Sequence, residues 1–346
     1  MDSNATRQPT ARRWVKRPPG SNWGDFGDDD QIGRLNLLTP EKVRQAVAEV
    51  QEGRVFCLSL PLDYPGGNVL APHRFPPQLR PTVRHGQSFF NYPFKCEDAD
   101  YCDAGCDDSV LLCTQYSTQW DSLAHIGQAF DADDDGVAEL VYYNGYRAGT
   151  HVCAPSERQE GRATAIGIEN MAATGVQGRG VMVDLERHFG RSRRLVGYED
   201  LMRVMDADRV IFESGDVLCL HTGFSTMVLA MQRHPDAETL RNACAALDGT
   251  DLRLLNWITD SGVAAIAADN YAVEAIPARK ATGPRPFVPL HGHCLFKLGI
   301  HLGELWYFDE LNAWLTEHNR SRFLLTAPPL RLPGAVGSPV TPVATV

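Results

Sequence analysis

The stretch from Gly180 to Ala268 alternates short apolar runs with segments of helical periodicity, and this alternation limits the fold more than any other feature. The runs Gly180 to Leu185, Asp216 to Thr222 and Gly262 to Ala268 are too short for buried helices. They are also too uniformly apolar to keep a wet face, so they read as strands covered on both sides. Between them, Gly197 to Met205, Ala237 to Leu247 and Leu252 to Thr259 read as helices. Strands in alternation with helices predict an α/β fold.

Other elements fit around this centre. Thr39 is placed as an N-cap with Pro40 at the first helical position and Gly53 as the stop, and Val43, Ala46, Val47 and Val50 form one apolar stripe. Strands are expected over Arg54 to Leu60, Val110 to Cys113 and Arg322 to Thr326, and a last helix over Phe308 to Asn319. Between Pro61 and Asp108 the chain has seven prolines and no periodicity, as binding or lid segments often do. At 346 residues the chain exceeds the roughly 250 to 300 at which single cores stop growing. That length suits one large domain with elaborations, or two closely packed ones, over 21–327, with an irregular pocket or lid insertion at 61–108, a flexible arm over 1–20 and a C-terminal tail over 328–346.

The 33 basic and 43 acidic residues give a net charge of −10, which argues against nucleic acid or an anionic membrane as the main partner. No apolar run is long enough to span a bilayer, and the first twenty residues lack the apolar core of a secretory signal. A cytoplasmic chain with free thiols is expected, since nine cysteines suit no closed disulfide framework. Cys96, Cys102, Cys106 and Cys113 lack the close pairs of a zinc knuckle. Asp131, Asp133 and Asp135 open like a calcium loop, but Tyr142 stands where a bidentate Glu is required, which leaves a solvated acidic turn.

Chemistry concentrates after Cys113. Gln115, Ser117, Gln119 and Asp121 recur at period two, so a continuing strand would set all four on one face with His125 just beyond. Polar groups converging on a segment rooted in a buried strand are costly unless they bind something or each other. An acid and a histidine this close can supply a metal ligand and a general base.

This segment resembles the H-x-G-T-H-x-D-x-P-x-H signature of the cyclase-like metal-dependent hydrolases, the superfamily that includes kynurenine formamidase and isatin hydrolase. Thr118, Asp121 and His125 match it, Gln115 and Gln119 stand at its two metal-binding histidines, Ser117 replaces the Gly and Leu123 the Pro. Trp23 to Asp25, Ile32 to Pro40, Tyr143 to Gly145, Gly178 to Val181, Gly215 to Val217, Leu290 with His291, and Gly303 with Glu304 extend the resemblance from about Trp23 to Trp314. It implies a swivelling β/β/α fold with a mixed central sheet or barrel and flanking helices. It also implies a metal-dependent hydrolase opening a lactone, cyclic amide or N-acyl bond of a small aromatic or carboxylated molecule, and a homo-oligomer, dimer or tetramer. Asp121 and His125 take the catalytic roles. Gln115, Gln119, Asp121, His291 and Glu304 form the metal set, with His291 preferred over the neighbouring His293. Thr118, Trp120, Tyr143 and Asn144 are the substrate contacts.

The resemblance implies a divalent ion, Mn²⁺ or Zn²⁺, but glutamine is a neutral, hard ligand and a poor substitute for imidazole on zinc, so the site takes a harder cation such as Mn²⁺ or Mg²⁺ or holds no ion. Without metal, Asp121 and His125 would serve a lyase, dehydratase or isomerase, and a non-enzymatic small-molecule binder is the third reading. Asp269 and Glu274 follow a buried strand and either reach the site or cap the next element.

Overall fold

The computed structural model describes residues 12–156, 161–280 and 282–346. Nine strands form one mixed sheet: β1 (Val55–Cys57), β2 (Gln119–Asp121), β3 (Gln177–Asp184), β4 (Val217–His221), β5 (Ala265–Ala268), β6 (His301–Glu304), β7 (Arg322–Thr326), β8 (Gly337–Pro339) and β9 (Val343–Thr345). Their order is β1-β9-β7-β3-β4-β5-β6-β2-β8. The four central strands, β3 to β6, run parallel, and every flanking pair is antiparallel. The expected α/β class with a mixed central sheet is therefore present, as a curled half-barrel with helices packed on it.

Both faces of the sheet are covered, which is why its strands are apolar throughout. Leu218, Leu220, Ile266 and Ala268 face one core with Leu201, Val204, Leu254 and Ile258 from the helices α2 (Tyr198–Ala207) and α3 (Leu252–Asp260). Val217, Cys219, Ala265 and Ala267 face the other, with Trp120, Trp306, Phe308 and Phe323. Small strand residues make room for these aromatics. A Cβ at Gly303 would lie 2.7 Å from the Trp306 indole nitrogen and 3.0 Å from the Trp120 ring, so only glycine fits there.

Several expectations are corrected. The first helix, Pro40–Val47, is capped by Thr39 as expected, but Val47 is exposed and Lys42 is buried. Its ammonium lies 3.0 Å from the buried Asp216, which Arg179 also grips at 2.8 and 3.0 Å. A buried ion pair from Lys42 thus anchors the helix where Val47 does not. The expected helix Ala237 to Leu247 divides into Ala237–Arg241 and a strand, Ala245–Leu247, that pairs with Arg194–Val196. The expected buried strand at 110–113 is an exposed one, Asp108–Leu111, paired with Gln78–Pro81. Shorter ribbons inside the 61–108 stretch pair Val83–Arg84 with Gln87–Ser88 and Tyr92–Pro93 with Ala104–Gly105. Such pairings involve few residues and leave no repeat in the sequence.

The termini depart from arm and tail. Residues 1–11 lie outside the described residues, but Trp14 is buried and packs against Trp23 at 6.2 Å. Residues beyond Pro328 supply β8 and β9 to the main sheet, where Val346 is fully buried. Among the described residues no helix is long and apolar enough to cross a membrane.

Deleting residues 337–346 would leave β1 and β7 without β9 and β2 without β8. We expect such a chain to lose the cooperative unfolding transition of the full chain in urea, followed by circular dichroism. An unchanged midpoint would contradict this account of the termini.

Candidate active site

Strand β2 enters the sheet between β6 and β8, with Glu304 opposite Gln119 and Gly337 opposite Asp121. Alternation sends Gln119 and Asp121 to one side and Trp120 to the other, where its ring meets Trp306 edge-on at 4.9 Å. Gln115 is not on this strand. The chain turns over residues 114–118, and the Gln115 side chain comes back to Asp121 from that turn. The four-residue polar face expected from period two is thus only half a strand.

The turn nevertheless delivers its amide to the centre. Gln115 Nε2 donates to Asp121 Oδ1 and lies 3.1 Å from His125 Nδ1. Gln119 Nε2 donates to Glu304 Oε2 at 2.9 Å. His291 stands between the acids: its Nδ1 is 2.7 Å from Glu274 Oε1, and its Nε2 is 3.2 Å from Glu304 Oε1 and 3.7 Å from Asp121 Oδ2. His291 ends a short helical turn, Pro289–His291, that runs into a π-helix, Gly292–Leu298. Glu274 also accepts the backbone N–H groups of Leu290 at 3.0 Å and His291 at 2.8 Å, so it holds both the ring and the turn that carries it.

All five site residues expected as ligands, together with His125, are therefore gathered in one place. Asp121, Glu274, His291 and Glu304 are buried. Burial alone would lower the His291 pKa, but hydrogen bonds to Glu274 and Glu304 and their charges outweigh it and raise it. Burial, then the charge of Asp121, raises that of Glu304. Desolvation lowers that of His125, against the pull of Asp121.

Three buried carboxylates around one imidazolium leave an excess of negative charge. Asp121 Oδ2 is buried without a hydrogen-bond partner among the described residues, as is Gln119 Oε1. One ligand atom from each of Asp121, His125 and His291 lies within 4.8 Å of the others. Imidazole nitrogens with carboxylate oxygens are a donor set for a divalent transition-type ion, and Glu274 on His291 Nδ1 is the usual support for a metal-bound histidine. The residues fit such an ion, with Gln119 steadying Glu304 by its N–H group and Gln115 set between Asp121 and His125, instead of either glutamine replacing imidazole directly.

The expected substrate contacts lie elsewhere. Trp120 belongs to the aromatic core. Thr118 Oγ1 donates to the Leu305 carbonyl and accepts the Leu60 N–H at 2.9 Å. Tyr143 is buried with its hydroxyl 3.1 Å from Asp30, and the Asn144 amide donates to the carbonyls of Gly27, Asp28 and Asp30. These motif residues build the scaffold: Thr118, Trp120 and Asn144 each satisfy a distant backbone group, and Tyr143 a distant carboxylate. His293 turns to Thr259 Oγ1 at 2.9 Å, away from the cluster. Asp269 accepts the Thr222 and Gly223 N–H groups at 2.8 Å, which makes it a structural acceptor at the end of β4.

Sequence reasoning missed Arg74 and Tyr271. Arg74 Nη1 donates to the Gln115 carbonyl at 2.5 Å, and its charge acts on both His125 and Glu304. Tyr271 feels Glu304 and Arg74 and borders a cavity of about 370 Å³, whose walls include Leu70, Pro72, Phe224, Glu274 and Phe287. No spacing signal marks Arg74, because the 61–108 stretch has no period to read, and Tyr271 lies in the irregular loop after β5, where periodicity is equally silent.

The Cyclase family model matches residues 56–275. A crystal structure described as a novel cyclase is 31% identical, with a TM-score of 0.74 over 94% of this chain and 99% of its own. Isatin hydrolase A from Labrenzia aggregata, bound to benzyl benzoate, is 12% identical with a TM-score of 0.55 over 87% of this chain and 98% of its own. An isatin hydrolase bound to the product analogue thioisatinate is 12% identical with a TM-score of 0.52 over 89% and 99%. The last two share the fold. Among curated proteins, none matches this sequence.

Glu274→Ala should cost about 3 kcal/mol in urea unfolding, because it strands the buried His291 Nδ1–H and two backbone donors. Glu274→Gln, which keeps one acceptor, should cost less. Equal stability of Glu274→Ala and the parent chain would show that the carboxylate does not hold the His291 turn.

Proposed function

The chain belongs to the Cyclase family, and from that premise we propose that it is a divalent-metal-dependent hydrolase. The bond opened is that of a small lactone, cyclic amide or N-acyl compound. The observation that carries this reading is the buried group of Asp121, Glu274 and Glu304 around His291, with Asp121 Oδ2 left without a hydrogen-bond partner among the described residues. Asp121, His291 and Glu304 are the ligands of the ion in this reading, and Mn²⁺ or Zn²⁺ suits their mixture of imidazole and carboxylate. When bound, the ion would polarise the substrate carbonyl and acidify a water molecule.

His125 is the acid/base. Its Nδ1 faces the Gln115 amide nitrogen, which leaves the ring proton on Nε2. To accept a proton from water, Nε2 must be bare. That state follows if the Gln115 amide turns end for end and offers its oxygen to Nδ1–H. Gln115 then gives up its bond to Asp121, whose carboxylate is free to serve as a ligand. The water proton passes to Nε2 as the new C–O bond forms, and the same proton goes to the leaving nitrogen or oxygen as the scissile bond breaks. Burial keeps the His125 ring neutral at the start, as a base requires.

The cavity beside Tyr271 takes the body of the substrate, and its Leu70, Phe224 and Phe287 walls favour an aromatic or otherwise apolar one. Self-association into a dimer or tetramer is part of the same reading, supported by exposed Leu79, Val83 and Leu111 on the ribbons. One observation favours a metal-free lyase, dehydratase or isomerase: both glutamines already donate to the carboxylates that an ion would need. Turnover indifferent to chelators would select that reading.

Elemental analysis and hydrolysis assays on isatin, an aromatic lactone and an N-formyl arylamine separate the roles. We expect His125→Ala to retain the ion at Asp121 while kcat falls about 100- to 10,000-fold, and Asp121→Asn to lose the ion of this site together with activity. Full activity in His125→Ala, or a wild-type ion content in Asp121→Asn, would overturn the assignment.

A further inference from the structure

A second group of ligating side chains gathers where β3 and β4 end. The parallel register sets Asp184, the last residue of β3, opposite His221, the last residue of β4. Glu186 lies just past β3 in the helix Leu185–Phe189, and Asp309 opens the helix α4 (Asp309–Glu317). His221 is 5% exposed. Its Nδ1 is 2.9 Å from Asp184 Oδ1, while Nε2 is 2.8 Å from Asp309 Oδ1 and 3.4 Å from Glu186 Oε2. One ligand atom from each of Glu186, His221 and Asp309 lies within 4.8 Å of the others.

The surroundings distinguish this group from a plain ion pair. Asp184 is fixed by the Asn312 amide at 2.7 Å and by the Arg187 N–H at 3.0 Å, so it can take Nδ1–H and aim Nε2 at the two other acids. A carboxylate on one ring nitrogen with acids facing the other is how metal-bound histidines are oriented. Ligands held about 2.0 to 2.2 Å from one ion lie roughly 3 Å apart, and the two Nε2 to oxygen separations of 2.8 and 3.4 Å bracket that spacing. Gly223, with φ +79°, faces the Glu186 carboxyl group, and a Cβ there would meet its carbon at 2.5 Å. The fold therefore reserves this space for the carboxylate. A cleft of about 590 Å³ bordered by Glu186, His221, Asp309 and Glu310 admits water to complete a coordination shell.

We propose that Glu186, His221 and Asp309 hold a second divalent cation of the Mn²⁺ or Zn²⁺ type, separate from the cluster at Asp121. The site ties the carboxyl ends of β3 and β4 to the first turn of α4. Its charge balance supports this: three carboxylates meet one imidazole, and Arg191, 2.5 Å from Glu186, adds one further cation.

The test uses full-length chain carrying Asp121→Asn, stripped by chelator and re-equilibrated with Mn²⁺. Elemental analysis should find close to one equivalent, and calorimetric titration a single binding event. Adding Asp309→Asn should abolish that event, and adding Glu186→Gln should weaken it at least tenfold. Glu186 is half-buried, so its variant keeps the test valid if Asp309→Asn misfolds. No bound Mn²⁺ in the Asp121→Asn chain, or equal binding after Glu186→Gln, would mean that His221 is a protonated clamp and no cation site. Either result reads independently of hydrolysis.

Discussion

Glu274, Glu304 and Asp121 are three acids held out of water around His291, and the local structure follows from keeping them there. Carboxylates in such a place repel one another and survive only if cations and hydrogen bonds are supplied at fixed positions. The fold supplies them from four directions. Strand β6 delivers Glu304, its antiparallel neighbour β2 delivers Gln119 and Asp121, the loop after β5 delivers Glu274, and the turn before the π-helix delivers His291. The turn ahead of β2 brings Gln115 as a further donor. A divalent ion completes this balance in the reading advanced above, where Gln119 steadies Glu304 and Gln115 turns from Asp121 to His125.

Rigidity behind the site comes from the opposite face of the same strands. Trp120 lies between two polar residues of the cluster, yet its indole N–H donates to the Ala327 carbonyl at 2.9 Å and its ring packs on Trp306. The Trp306 indole in turn donates to the Gln119 carbonyl at 3.1 Å. Gly303 leaves these two rings space to sit flush with β6. Side chains that must keep their geometry within a fraction of an ångström are thus backed by close-packed aromatics.

Much of this was legible in the sequence, and the reasons for the rest are physical. Apolar runs covered on both faces identify β3, β4 and β5 because burial acts on every residue of such a strand. Period two paired Gln119 with Asp121 on one strand, whereas His291 and Glu304, far along the chain from that segment, came from the family resemblance alone. Gln115 was assigned to the same strand because alternation alone cannot report a turn. The burial of Lys42 leaves no local signal, because its partner Asp216 is 174 residues away. The strands beyond Pro328 are short and rich in proline, and only their neighbours β1, β2 and β7 make them strands. Trp120, Tyr143 and Asn144 matched a family pattern, but a pattern does not tell a scaffold residue from a substrate contact. Their hydrogen bonds do.

Anomalous diffraction at the manganese edge, on crystals of the full chain grown with Mn²⁺, tests the central claim most directly. The account predicts a peak bonded to Asp121, His291 and Glu304, with His125 outside bonding distance. No peak at Asp121 in crystals of a protein that hydrolyses its substrate after chelation would contradict it.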